Sequence, residues 1–173
     1  MAAPVGLTLK RHRDLEGLRR TPWIRRALVA LLVGFALAGL LNVFGHVPTA
    51  KTAEAPEATL EVKAPSQVRS GLFYELRFTI DARQELRDAL LVLGRGWIDG
   101  ITINTIEPGP VGEASRNGDL ALDLGHVPAG QRHVLWVQGQ VNPTTVAHRR
   151  ATTELYDGER RLATHTTTVT IYP

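Results

Sequence analysis

Two periodicities divide the chain. From Ala27 to Phe44 the run ALVALLVGFALAGLLNVF carries no charge and a single amide, and a stretch of this kind can satisfy its backbone in lipid only as a helix. Its Leu, Val and Phe residues each favour insertion by about 0.3 to 0.6 kcal/mol, on the order of 3 to 7 kcal/mol together. Thr21 is placed to cap the first free N–H groups, Pro22 sits where a missing N–H costs nothing, and Gly45 with Pro48 beyond it offers a stop. These signals predict a helix over residues 22–45, about 36 Å long, enough to cross a ~30 Å hydrocarbon layer with some tilt. Trp23, Arg25 and Arg26 then fall at headgroup depth.

From Ala58 onward the period is two. Leu60 and Val62 alternate with Glu61 and Lys63. Tyr74, Leu76, Phe78 and Ile80 then alternate with Glu75, Arg77, Thr79 and Asp81, the clearest strand in the chain. Leu86 to Leu93 reads as a strand with Leu91 and Leu93 inward, and Ile101, Ile103 and Thr105 continue the alternation up to Pro108. Asn117-Gly118 is a tight-hairpin dipeptide because both positions tolerate positive φ, and it leads into Leu120, Leu122 and Leu124. His133 to Val141, apolar on both faces, reads as a central strand, and a last pair joins at Asp157-Gly158. Seven or eight short strands without a helical stretch predict a mainly β fold, a single antiparallel β-sandwich behind one transmembrane helix.

The expected organisation is a basic tail over residues 1–21, the membrane helix over 22–45, a linker over 46–57 rich in Pro, Ala and Thr, and the β domain over 58–173. The apolar core is longer than that of a cleavable signal, and Pro48-Thr49-Ala50 makes a poor cleavage site, so the helix reads as an uncleaved signal anchor.

Charge sets the orientation. Residues 1–26 hold seven Lys and Arg against two acidic residues, net +5, whereas the rest holds 13 against 15, net −2. The positive-inside rule leaves the N-terminus in the cytoplasm and the C-terminal domain outside it, in a single-pass protein of the cell membrane. A slightly acidic exported domain is a poor phosphate binder, so nucleic acid is not an expected partner; membrane lipid is. The chain has no cysteine, which excludes disulfides, thiolate metal sites and a cysteine nucleophile and fits a bacterial envelope.

Candidate chemistry is sparse. The six histidines show neither helical nor strand metal spacing, the three serines lack a nucleophile elbow, and Gly94-Arg95-Gly96 lacks the lysine and helix of a phosphate loop. No catalytic, cofactor or metal residues are therefore assigned. Two contact surfaces are expected instead. Ala30, Gly34, Ala38 and Asn42 recur every four residues, so one helix face could pack against another membrane helix or a second copy. Trp97, Asn104, Glu107 and Trp136 form a candidate exposed patch, although Trp97 near a strand start also suits a core plug. Asp99, Asn104 and Glu107 supply the alternative, an enzyme or small-ligand cleft built on a carboxylate pair.

The run Leu60-Glu61-Val62-Lys63-Ala64-Pro65, then Val68-Arg69-Ser70-Gly71 and the strand Phe73 to Ile80, with Leu124 to Gly130 and the later strand at Val134, resembles exported bacterial immunoglobulin-like modules of the CARDB and conserved-repeat type. The resemblance covers the β domain, implies its fold and carries no functional residues. Such modules serve as spacers or as adhesion and interaction domains. The anchor, the missing catalytic constellation and the small-residue helix face lead to the expectation of a noncatalytic extracytoplasmic interaction domain that contacts another membrane or envelope protein, with a plain spacer as a further option.

Overall fold

A computed structural model of the chain describes residues 21–41, 43 and 48–173. They belong to two units, one ending at Gly45 and one running from His46 to Pro173. The first unit contains helix α1, Thr21–Leu40, of 20 residues, or about 30 Å at 1.5 Å per residue. It ends five residues before the expected Gly45, just after the weak helix former Gly39. The Leu41 N–H still bonds the Leu37 carbonyl at 2.9 Å, and the Val43 N–H reaches back to the Ala38 carbonyl at 3.0 Å. Large apolar side chains project on every side, and α1 is long and apolar enough to cross a membrane. The Arg26 guanidinium lies 5.5 Å from the Trp23 ring centroid one turn away. The tail, the Thr21 side-chain cap, Asn42 and the stop at Gly45 lie outside the described residues.

The second unit is a two-sheet sandwich. Its elements in order are β1 Pro48–Glu54, β2 Ala58–Pro65, β3 Gln67–Arg69, β4 Phe73–Ala82, β5 Leu86–Leu93, α2 Arg95–Ile98, β6 Ile101–Glu107, β7 Gly112–Arg116, β8 Asp119–Val127, β9 Arg132–Val141, β10 Ala147–Asp157 and β11 Arg160–Tyr172. One sheet runs β1-β2-β4-β9-β6, the other β3-β11-β10-β5-β8-β7. Neighbours pair antiparallel except β3 with β11. Between the sheets lie Leu60, Leu76, Phe78, Ile80 and Leu135 from the first, and Leu91, Leu93, Leu122, Leu155 and Ile171 from the second. The alternation in β4 is the reason: every second residue faces in, and a one-residue slip would turn that set to solvent.

Four elements differ from the expectation. Residues 48–54 of the expected linker are strand β1, paired over seven positions with β2. They have no large apolar residue because β1 is an edge strand exposed at six of its seven positions. The turn after Pro65 contains β3, a three-residue parallel partner of β11 around buried Val68. Strand β7 is the first arm of the Asn117-Gly118 hairpin, whose two turn residues have φ of 56° and 86°. The Gly94 to Gly96 break is the single helical turn α2.

Candidate functional site

Trp97 is a plug of the core. It is 2% exposed, its Nε1–H donates to the Thr153 hydroxyl at 3.0 Å, and its carbonyl accepts from the Tyr74 hydroxyl at 3.4 Å. Burial pushes the Tyr74 phenol well above its ordinary pKa, with Arg149 opposing. Trp97 therefore leaves the expected contact patch. The sequence could not decide this, because a tryptophan at the head of a strand suits either side of a sheet; the turn of α2 swings the indole inward.

The other three residues lie on β6 and β9. Trp136 points outward from β9 and is 38% exposed, and its register partner on β6 is Glu107, also exposed. Asn104 sits in a bulge, where Ile103 pairs with Gly139 and Thr105 with Gln138. The extra residue reverses the alternation, so half-buried Ile106 takes the inward place expected of Thr105. Asp99 is exposed and follows α2. The six steps from Ile101 to Glu107 span roughly 20 Å of strand, so Asp99 and Glu107 are too far apart for the carboxylate pair of a glycosidase. Among the described residues no group of three or more His, Asp or Glu side chains converges to hold a metal ion.

What Trp136 does join is a cleft that the sequence did not announce. Register sets Lys63 of β2, Arg77 of β4, Trp136 of β9 and Glu107 of β6 in one row across the outer face of the five-stranded sheet. At the end of that face where β2 finishes and β4 begins, Pro48, Lys63, Pro65, Val68, Leu72, Phe73, Arg77 and Trp136 enclose about 430 Å³. Leu72 is 52% and Phe73 71% exposed. A run of exposed Leu, Phe and Trp on a β-sandwich is unusual, because large apolar patches on a folded surface mark contact sites.

The cleft wall is braced. The Arg77 guanidinium lies over the Trp136 ring, 5.3 Å from its centroid, and its Nη2 is 3.5 Å from a Glu61 carboxylate oxygen. The Arg77 Nε–H is buried and has no hydrogen-bond acceptor among the described residues. Gln140 holds the neighbouring loop by donating to the Gly71 carbonyl at 3.0 Å. The one clue in the sequence was the doublet Leu72-Phe73, apolar before the alternation of β4 begins. Its partners come from positions 48, 63–65 and 136, which only strand register brings together.

Comparison with known proteins yields fold likeness alone. No family model matches the chain, and a search of curated proteins gives no match. Among solved structures, the CARDB domain of PF1109 from Pyrococcus furiosus is 15% identical, with 69% of this chain and 97% of that one covered and a TM-score of 0.45. A crystal structure of that domain in complex with di-metal ions is 16% identical over 70% and 98%, with a TM-score of 0.41. A non-cellulosomal cohesin from the archaeon Archaeoglobus fulgidus is 13% identical over 64% and 88%, with a TM-score of 0.38. The chain is a mainly β two-sheet sandwich behind one N-terminal apolar helix, and the sandwich bears a loose, fold-level resemblance to CARDB domains.

Proposed function

We propose that this protein is a noncatalytic, single-pass membrane protein whose sandwich, held outside the cytoplasm, docks a partner protein of the membrane or envelope. In this reading α1 is an uncleaved signal anchor with its basic end inside. The observation that carries the reading is the braced aromatic cleft. An exposed Trp stacked under Arg, beside exposed Phe and Leu, has the composition of an interface hot spot. The small-residue face Ala30, Gly34 and Ala38 of α1 offers a second contact within the bilayer, to another membrane protein or a second copy.

The test is site-specific photo-crosslinking in intact cells. A benzophenone amino acid at Phe73 is expected to give a discrete higher-mass adduct, and one at Thr164, exposed on the other sheet, is expected to give none. Equal labelling from both positions, or none from Phe73, would sink the interaction role. Protease added outside the same cells is expected to trim the sandwich and spare the basic tail; an untouched C-terminal portion would overturn the orientation.

A further inference from the structure

The cleft carries a charge opposite to that of the domain around it. From His46 onward the chain has 13 Lys and Arg against 15 acidic residues, yet the charged side chains lining the cleft are Lys63, Arg69 and Arg77 against Glu75 alone. Arg77 is partly engaged by Glu61, and exposed Arg69 makes no ion pair with the described residues. A concentration of cations on an acidic domain steers anionic partners to that spot and turns cationic ones away.

The shape narrows the partner further. Beyond Phe73 the cleft is continued by a second depression, lined by Phe73, Tyr74, Glu75 and Gln138. An apolar hollow with cations at its rim, leading into one that offers a carboxylate and an amide, suits a chain that alternates apolar side chains with hydrogen-bonding groups. A hydrocarbon tail would leave the Gln138 amide unmatched, whereas a peptide backbone supplies both donor and acceptor.

We infer that the cleft receives an extended polypeptide segment in which aromatic or aliphatic residues are interleaved with carboxylates. The inference rests on the interaction role proposed above and adds the chemistry of the partner. Apolar side chains enter between Phe73 and Trp136, and the carboxylates face Lys63 and Arg69.

The experiment uses the full chain in nanodiscs of zwitterionic lipid and two fluorescein-labelled dodecapeptides, one alternating Phe or Leu with Glu and its counterpart with Lys in place of Glu. Fluorescence anisotropy is expected to show saturable binding of the Glu peptide and at least about tenfold weaker binding of the Lys peptide, a difference of roughly 1.4 kcal/mol. The K63E/R69E protein is expected to reverse the preference, and R150E, a charge change on the other sheet, to leave it unaltered; near-ultraviolet circular dichroism confirms that each variant is folded. Equal affinity for the two peptides, or an unchanged preference in K63E/R69E, would overturn the proposal. So would displacement of the Glu peptide by nanodiscs containing phosphatidylglycerol, which would make an anionic membrane the occupant. If the Glu peptide fails while Phe73 still gives its adduct in cells, the partner chemistry is wrong and the interaction role stands; if both fail, both fall.

Discussion

Trp97 and the residues around it show how single side chains fix this domain. The indole N–H finds its acceptor in the Thr153 hydroxyl oxygen, in a part of the core closed to water. Trp97→Phe keeps most of the apolar volume but strips Thr153 of its partner, and the expected cost is about 1 to 3 kcal/mol, read as a lower urea midpoint with an unchanged slope. Two histidines at the rim of the core give a second handle. Half-buried His133 and His165 have their pKa values lowered by desolvation, with Lys51 adding to the effect at His165. Above the unfolded-state value near 6.5 both states are neutral and stability is flat. As pH falls below it, the unfolded chain takes up protons that the folded one resists, and stability is lost until the folded-state values are reached. Urea midpoints are therefore expected to drop between pH 7 and pH 5, and the H133Q/H165Q protein to show a flatter profile.

At the scale of elements, what was legible depended on which side of the sheet a residue had to satisfy. Strand β4 announced itself because burial of one face demands a strict alternation, β9 because it is apolar at successive positions even though Trp136 and Gln138 prove exposed, and Asn117-Gly118 because both turn residues need positive φ. Strand β1 was silent for the opposite reason: at an exposed edge the pairing is made by backbone, which any residue supplies. Its Pro48 and Lys51, the bulge at Asn104 in β6, and the brevity of β3 and β7 also blunt the four sheet edges against pairing with other chains. Bulges elsewhere are held by side chains that no pattern reveals. Asp157 accepts from the N–H groups of Arg87 and Asp88 at 2.9 and 3.0 Å, where the β5–β8 register shifts. Asp157→Ala should hand both exposed N–H groups to water and cost about 1 kcal/mol in urea unfolding, with hydrogen exchange accelerated at Arg87 and Asp88 first. The cleft escaped sequence reading because it is a property of register and not of any segment.

For the whole molecule, the division of charge matters more than its total. A +3 tail over residues 1–21, a helix whose only charges are Arg25 and Arg26 in its first turns, and a −2 domain differ in character, and the pI near 9.7 describes none of them. Strand β1 is the first element of the folded unit, and it pairs Pro48 with Pro65 at its opening end. Neither proline has an N–H to give, so the rung nearest the helix along the chain is the weakest of the seven. A pull exerted through the helix would meet that rung first and open the pair one step at a time, like a zip and not a weld. Each peeled residue lengthens the leash by about 3.5 Å, roughly 25 Å for the whole strand. Single-molecule stretching should register this as a soft, reversible extension before the sandwich ruptures, and an abrupt rupture with no such prelude would show that the strand yields only with the rest. A domain tethered in this way can give ground under tension without letting go of its fold.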